Sequence, residues 1–356
     1  MRLNLASAFL CSTTLFTIVT AIIPPPPATI PTYAPLPPTA NGPEIPSELG
    51  FRVEELGTGA YLLTDGLYQC LFLVTCDGVI LVDAPPTIGK NILKGIQSVT
   101  NLPVTHVVYS HAHADHIGAA YLFDDPHVNF VAHADTVLEL AFATNDTTRP
   151  KPTTTFQDDF EISACNQTLQ LSYKGLNHEP GNIFIYAPIQ KVLMVVDIVY
   201  PGWVPFDQLG EAQNIPGFIK AHDQILEYDF DYYLGGHINR FGTRQDVLIQ
   251  QEYISDLYNN CVEAIRLSNE SAEGNNTLSV RTALSAIEQA NPSNYWAIFD
   301  YYINTLLADW VANKTEDKWV GVLGGADVYT WSNAVSMLEP VRISFGMLGP
   351  YGVREG

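Results

Sequence analysis

Hydrophobic and polar positions divide the chain into four regimes. Leu3–Ile23 is apolar with interspersed Ser and Thr. Ten prolines then fall between Pro24 and Pro46, a density that predicts an extended, solvated spacer rather than a packed element. From Glu48 short apolar runs alternate with helical spacing. Tyr61–Leu63, Cys70–Thr75 and Val79–Asp83 are β-branched or aromatic runs broken at Asp65-Gly66 and Asp77-Gly78, which predicts strands joined by tight turns. Ile88–Thr100 is predicted helical. Val104–Ser110 reads as a buried strand that runs straight into His111. Phe130–Ala132, Leu169–Tyr173, Ile183–Tyr186, Val192–Val196 and Tyr232–Leu234 are further strands, with helices at Thr136–Ala143 and Phe218–Tyr228. After Thr243 the pattern turns helical over Gln245–Leu267, Ser279–Gln289 and Tyr295–Ala312. Val320–Met347 shows no clean period. Strands mixed with helices point to sheets covered by helices, an α/β layer architecture.

These regimes predict an order along the chain. Residues 1–21 read as a signal peptide, with Arg2 as a positive start and Val19-Thr20-Ala21 as the small-residue cleavage site. A signal anchor is the competing reading, because the apolar stretch nearly spans a bilayer. Residues 22–47 are the spacer, 48–244 the core, and 245–356 a mainly helical extension packed on it.

Charge and cysteine content change the picture in two ways. A formal charge of −21 disfavours nucleic acid and anionic membrane surfaces. Five Asn-X-Ser/Thr sequons, at Asn145, Asn166, Asn269, Asn275 and Asn313, follow the signal-like segment and predict a secreted glycoprotein with no stable membrane association after cleavage. Cys11 would leave with the signal. The remaining Cys70, Cys76, Cys165 and Cys261 allow two disulfides in three connectivities, or buried free thiols. Cys70 and Cys76 share an apparent strand that would hold them roughly 20 Å apart, so any disulfide is long-range.

The candidate chemistry sits at Ser110–His116, SHAHADH. A strand ending in His-x-His-x-Asp-His puts imidazole and carboxylate donors on one loop, and these suit a borderline cation such as zinc. So many donors in so short a loop cannot all face one ion, but two neighbouring ions could share them. Further donors stand at strand ends or the adjoining loops: His178 in LNHEPG, Asp197 after VLMVV and His237 after LGG.

This ordered set resembles the metallo-β-lactamase-fold hydrolases over about residues 51–243, with Val79–Asp83 similar to the family's early strand ending in Asp. Asn177-His-Glu-Pro-Gly-Asn182 resembles its Gly-His-[ST]-Pro-Gly loop and departs from it at Asn177 and Glu179. The resemblance implies a four-layer αβ/βα sandwich with the metals at one edge. It implies that His111, His113 and His178 hold one ion, that Asp115, His116 and His237 hold the other, and that Asp197 bridges them. An Asp bridge resembles the glyoxalase II and lactonase branches. Two zinc ions roughly 3.5–4 Å apart can share a hydroxide nucleophile, and Asp115 could hand a proton to the leaving group as the catalytic acid. No serine nucleophile is needed, so Ser110 reads as a strand-end hydroxyl.

Substrate is read more coarsely. Trp203 and Phe206 are candidate pocket walls, with Tyr68 and Gln69 as weaker rim candidates. Arg240, three residues after His237, could reach the site or face solvent. No basic residue adjoins His178, which favours a small neutral or apolar ester or lactone. The alternatives are β-lactamase-type amide hydrolysis, a persulfide-dioxygenase-like enzyme with one Fe2+ on His111, His178 and Asp197, a nuclease, and a non-catalytic metal-site binding protein.

Overall fold

The computed structural model describes residues 30–165, 167–270 and 276–349. The expected signal peptide, the first part of the spacer and the sequons at Asn166 and Asn275 lie outside the described residues. Among the described residues no helix is long and apolar enough to cross a membrane.

Two sheets stack face to face. The first has seven strands in sequence order: β1 (Arg52–Glu55), β2 (Ala60–Thr64), β3 (Gln69–Val74), β4 (Val79–Val82), β5 (Val104–Val108), β6 (Asn129–His133) and β7 (Thr154–Phe156). Its first four pair antiparallel and its last four parallel. The second contains β8 (Asp159–Ala164), β9 (Gln167–Ser172), β10 (Phe184–Ala187), β11 (Val192–Met194) and β12 (Tyr232–Leu234), with β11 and β12 parallel.

Alternation along the strands decides the layers. Leu71 and Leu73 of β3 and Ile80 and Val82 of β4 point into a shared core with Leu169, Leu171, Ile185 and Met194 of the second sheet. Their neighbours Phe72 and Leu81 point outward onto Ile92 and Ile96 of α1 (Asn91–Gln97). Both faces of these strands are buried, so the sequence shows continuous apolar runs instead of a polar alternation. α2 (Ala114–Ile117) and α3 (Ala134–Leu140) follow β5 and β6. α4 (Asp207–Glu211) is a single left-handed turn, and α5 (Ile215–Leu226) lies outside the second sheet. The result is helix, sheet, sheet, helix, as expected.

The C-terminal region is helical. α6 (Arg244–Asn269) starts with a capping box in which Thr243 and Asp246 exchange hydrogen bonds. α7 (Val280–Ala290) and α8 (Tyr295–Tyr301) follow, and a wider π-type turn at Tyr302–Leu307 leads into α9 (Ala308–Trp319). α10 (Ala326–Ile343) occupies the stretch with no clean period. Tyr253 and Leu257 of α6 and Ala334 and Met337 of α10 share one core with Leu193, Val195 and Tyr233 of the second sheet.

Two expectations are corrected or narrowed. From Ala34 the proline-rich segment is largely exposed, as expected of a solvated spacer, yet it is bound to the body rather than free. Trp203 Nε1 donates to Ala40 O at 2.9 Å, Arg240 Nε to Thr39 O at 2.9 Å, and Gly42 N to Asn239 Oδ1 at 2.8 Å. Extended proline-rich backbone leaves its carbonyls free, and an indole and a guanidinium use them here. Of the cysteines, Cys76 and Cys165 form a disulfide across 89 residues, while Cys70 and Cys261 are buried thiols.

Candidate metal centre

Every expected ligand stands at a strand end or on the adjoining loop at the same edge. β5 delivers Ser110 and His111, and His113 caps the start of α2, whose first turn carries Asp115 and His116. His178 lies on the loop between β9 and β10, Asp197 just after β11 and His237 just after β12. Asp83 and Asp197 leave their strands with φ of 61° and 60°, a left-handed conformation that Asp tolerates better than most side chains. Ser110 O accepts from Ile183 N at 3.0 Å and joins the two sheets at this edge. Gly236, with φ of 86°, precedes His237, and a Cβ there would stand 3.0 Å from the His116 ring.

The donors form two adjoining groups: His111, His113, His178 and Asp197 in one, and Asp115, His116 and His237 in the other. His178 Nε2 lies 3.1 Å from His113 Nδ1, and Asp197 Oδ2 lies 3.5 Å from both His111 Nε2 and His178 Nε2. The same Asp197 Oδ2 is 3.0 Å from His116 Nε2, and Asp197 Oδ1 is 2.9 Å from His237 Nε2. Asp115 Oδ2 is 3.5 Å from His116 Nε2. Ligands about 2.0–2.1 Å from a tetrahedral ion stand roughly 3.3–3.4 Å from one another, so this spacing fits metal coordination. His111 Nε2 is buried with no hydrogen-bond partner, as a vacant ligand atom would be. Asp197 belongs to both groups by distance, which suits a bridge. The seven residues make a metal-binding site, and its nitrogen and oxygen donors suit zinc or iron.

Electrostatics support the same fit. Burial, then the neighbouring histidines, hold His111 well below the usual imidazole range, and burial lowers His178 against the pull of Asp197. Both are therefore neutral, as ligation requires. Burial opposes charge on His116 too, yet the carboxylates of Asp197, Asp115 and Asp83 push it up to about 9. Burial likewise works against the Asp197 carboxylate, which His116 and His237 nonetheless hold well below its ordinary range. A cation in the centre would neutralise Asp197 as the His116 proton does.

Residues outside the ligand set orient it, and the sequence reading had not assigned them that task. Glu179, where the family loop carries Ser or Thr, is buried. Its Oε2 lies 2.9 Å from His113 Nε2, and its Oε1 accepts from Ala112 N at 2.7 Å. That leaves His113 Nδ1 facing the other donors. Ser110 Oγ is 2.9 Å from His111 Nδ1, so the strand-end hydroxyl orients a ligand and is no nucleophile. Arg149 Nη1 donates to Ala112 O at 2.6 Å, bracing the loop between His111 and His113. Asp83 Oδ1 accepts from Ser110 N at 2.8 Å, and burial raises its carboxyl to about 6 against the opposing charge of His116.

A cavity of about 510 Å3 opens over this edge, lined by the ligands His113, Asp115, His178, Asp197 and His237 together with Tyr200, Phe206, Asp207, Gly210 and Glu211. Phe206 is the expected wall, 5.5 Å from the His237 ring. Tyr68 donates to Asp115 Oδ2 at 3.2 Å and packs 4.6 Å from His237. Tyr200, which the sequence reading did not single out, donates to Asp197 Oδ1 at 3.3 Å. Three expected pocket residues lie elsewhere. Trp203 packs against Gly324 and Gly325 and bonds Ala40 O, as a buttress behind Phe206. Arg240 is paired with Asp246 at 2.6 Å and cannot clamp a substrate. Gln69 is buried, donating to Ile238 O at 3.1 Å and Arg240 O at 2.7 Å.

The comparisons with known proteins agree with this geometry. Residues 63–237 match the family model of the metallo-beta-lactamase superfamily, and the chain carries a domain of that superfamily. The solved metallo-beta-lactamase from Pontibacter korlensis is 19% identical and superposes with a TM-score of 0.50, covering 58% of this chain and 99% of its own, which shows the shared fold. The 2,4-dinitroanisole O-demethylase subunit alpha of Nocardioides sp. (strain JS1661) is 28% identical over 201 residues, 56% of this chain. The match spans 61% of that relative's length.

Proposed function

We propose that this protein is a metal-dependent hydrolase of small uncharged substrates, cleaving an ester, a lactone or an activated ether. One observation carries the reading: five of the seven donors, His113, Asp115, His178, Asp197 and His237, line a cavity that has no Lys or Arg among its lining residues, with His111 and His116 buried behind them. Carboxylate substrates are usually held by such a basic side chain, and Arg240 is engaged elsewhere. Asp115, Asp207 and Glu211 on the same walls disfavour anions further.

His111, His113, His178 and Asp197 would hold one ion, and Asp115, His116 and His237 with Asp197 the other. Bound there, two divalent ions supply Lewis acidity and water of lowered pKa at neutral pH. The chain's own residues do the rest. Phe206 and Tyr200 exclude water from the apolar part of the substrate. Asp115, at the cavity wall with the Tyr68 hydroxyl on its Oδ2, is placed to pass a proton to the leaving oxygen. The relative from Nocardioides is named as an O-demethylase of a dinitroaryl methyl ether. Water cleaves such an activated ether to a phenol and methanol without an oxidant, so the same machinery would serve.

An O-demethylase relative also supports a second reading, a one-iron enzyme on His111, His178 and Asp197. Metal content of the protein purified without added metal separates the two. About two zinc ions per chain, with turnover of neutral esters, lactones or nitroaryl ethers, is expected. About one iron and no hydrolysis would overturn the hydrolase. Secretion belongs to the same proposal. It is supported by the Cys76–Cys165 disulfide and by sequon asparagines Asn145, Asn269 and Asn313 on the surface.

A further inference from the structure

The wall facing the metal ligands is held from the C-terminal helices, and we propose that Asn333 is a positioning residue that sets the pocket's width and so selects the bulk of the bound group. The inference rests on the cavity being the substrate site. Four successive residues, Gln208, Leu209, Gly210 and Glu211, have φ between 53° and 66°. Left-handed residues ordinarily occur singly, and a run that includes three with side chains persists only where its surroundings leave no alternative.

Those surroundings come from α10. Asn333 is fully buried. Its Oδ1 accepts from Leu209 N at 2.7 Å, and its Nδ2 donates to Pro205 O at 2.9 Å and to the Tyr253 hydroxyl at 3.2 Å. Ser332 Oγ accepts from the adjacent Gln208 N at 3.1 Å. The turn is thus fixed at its start and its middle by neighbouring residues of one helix. On its other side, a Cβ on Gly210 would stand 2.3 Å from the Tyr200 hydroxyl, which itself donates to Asp197. The turn therefore fills the space between α10 and the metal edge. Phe206, Asp207, Gly210 and Glu211 all line the cavity, whereas Asn333 does not. Asn333 acts only through the turn, so it sets the room beyond the metal ligands without touching what binds there.

The test uses two hydroxamic acids with the same metal-binding head, acetohydroxamate and 4-phenylbutyrohydroxamate, on the metal-loaded full chain. Asn333→Ala is expected to weaken the phenylbutyl compound about tenfold and to leave acetohydroxamate within about twofold, because only the tail reaches the wall. Equal loss of both, or loss of neither, overturns the proposal. Gly210→Ala leaves the Asn333 clamp intact but forces the turn away from the Tyr200 hydroxyl, so it displaces the same wall by another route should Asn333→Ala fail to fold. It must show the same tail-selective loss. Exchange of the Leu209 amide with solvent must also accelerate in Asn333→Ala, with or without metal, and unchanged exchange overturns the clamp. Hydroxamates bind without being cleaved, so a failure to hydrolyse any ester would defeat the proposed function and leave this test standing.

Discussion

The metal edge and the wall opposite it are built by different rules. At the edge, the ends of β5, β11 and β12 meet, and each presents its donor within a few residues of a strand's last hydrogen bond. At the wall, a left-handed turn is held by a helix more than a hundred residues later, through backbone bonds to Asn333 and Ser332. Chemistry resides at the edge, and shape is imposed from the wall. Changes at the edge should therefore alter metal loading and turnover, while changes at the wall should alter which substrate fits.

The largest expected effect is at the edge. His113→Ala removes a donor that stands 3.1 Å from His178 Nε2, so turnover should fall to background and one ion should be lost on dialysis. Full activity with both ions retained would break the assignment of the edge. Glu179→Gln is the next step down. It keeps the shape but replaces the carboxylate that fixes His113, so metal affinity should weaken by about 10–100-fold while the fold persists. Competition with a chelator reads that change directly, and an unaltered affinity would reduce Glu179 to a loop anchor.

How much of each region was legible follows from the same contrast. Ligands for one centre come from short loops, so His111, His113, Asp115 and His116 cluster in sequence and can be read from it. Glu179 was visible only as a departure from a family loop, since its work depends on His113 folding back toward it. α10 was not legible, because its single buried stripe carries the polar Thr330 and Asn333 among Ala334, Met337, Leu338 and Val341, while the apolar Val328, Trp331 and Ile343 stand exposed and Pro340 interrupts the pattern. Trp203 and Phe206 looked equivalent, three residues apart. Tertiary contacts separate them, for Phe206 meets the cavity and Trp203 meets Ala40 and Gly324. Arg240 could not be placed without knowing that Asp246 caps α6 beside it.

Between edge and wall stands Gln250 of α6, buried, whose Oε1 accepts from Tyr200 N at 2.8 Å and whose Nε2 donates to Ile198 O at 2.7 Å. These two bonds hold the loop that follows the Asp197 strand end. Gln250→Ala leaves both backbone groups buried without partners and should destabilise the protein by about 2 kcal/mol in chemical denaturation. Metal content should stay unchanged, because no ligand is removed. Loss of an ion together with stability would show that helix and edge are one unit, against the contrast drawn above.

The last effect is absent at neutral pH, emerges only in acid and arises behind the same amide. His222 lies in α5, its Nδ1 3.0 Å from Phe218 O and its Nε2 3.0 Å from Gln250 Nε2. Burial lowers its pKa to about 4, while backbone bonds to Phe218 and Ile219 pull the other way. In the unfolded chain a histidine takes up its proton near pH 6.5, so between about 6.5 and 4 the unfolded state binds more protons and stability rises with pH. Stability from this residue is thus complete above about pH 6.5 and declines as pH falls, by about 3 kcal/mol once pH drops below 4. His222→Gln removes the titrating group, so its unfolding free energy should fall less steeply than wild type over that window. Carboxylates titrate alike in both proteins, which leaves the difference in slope to His222. Identical slopes would mean that His222 takes its proton as readily in the folded protein as in the unfolded chain.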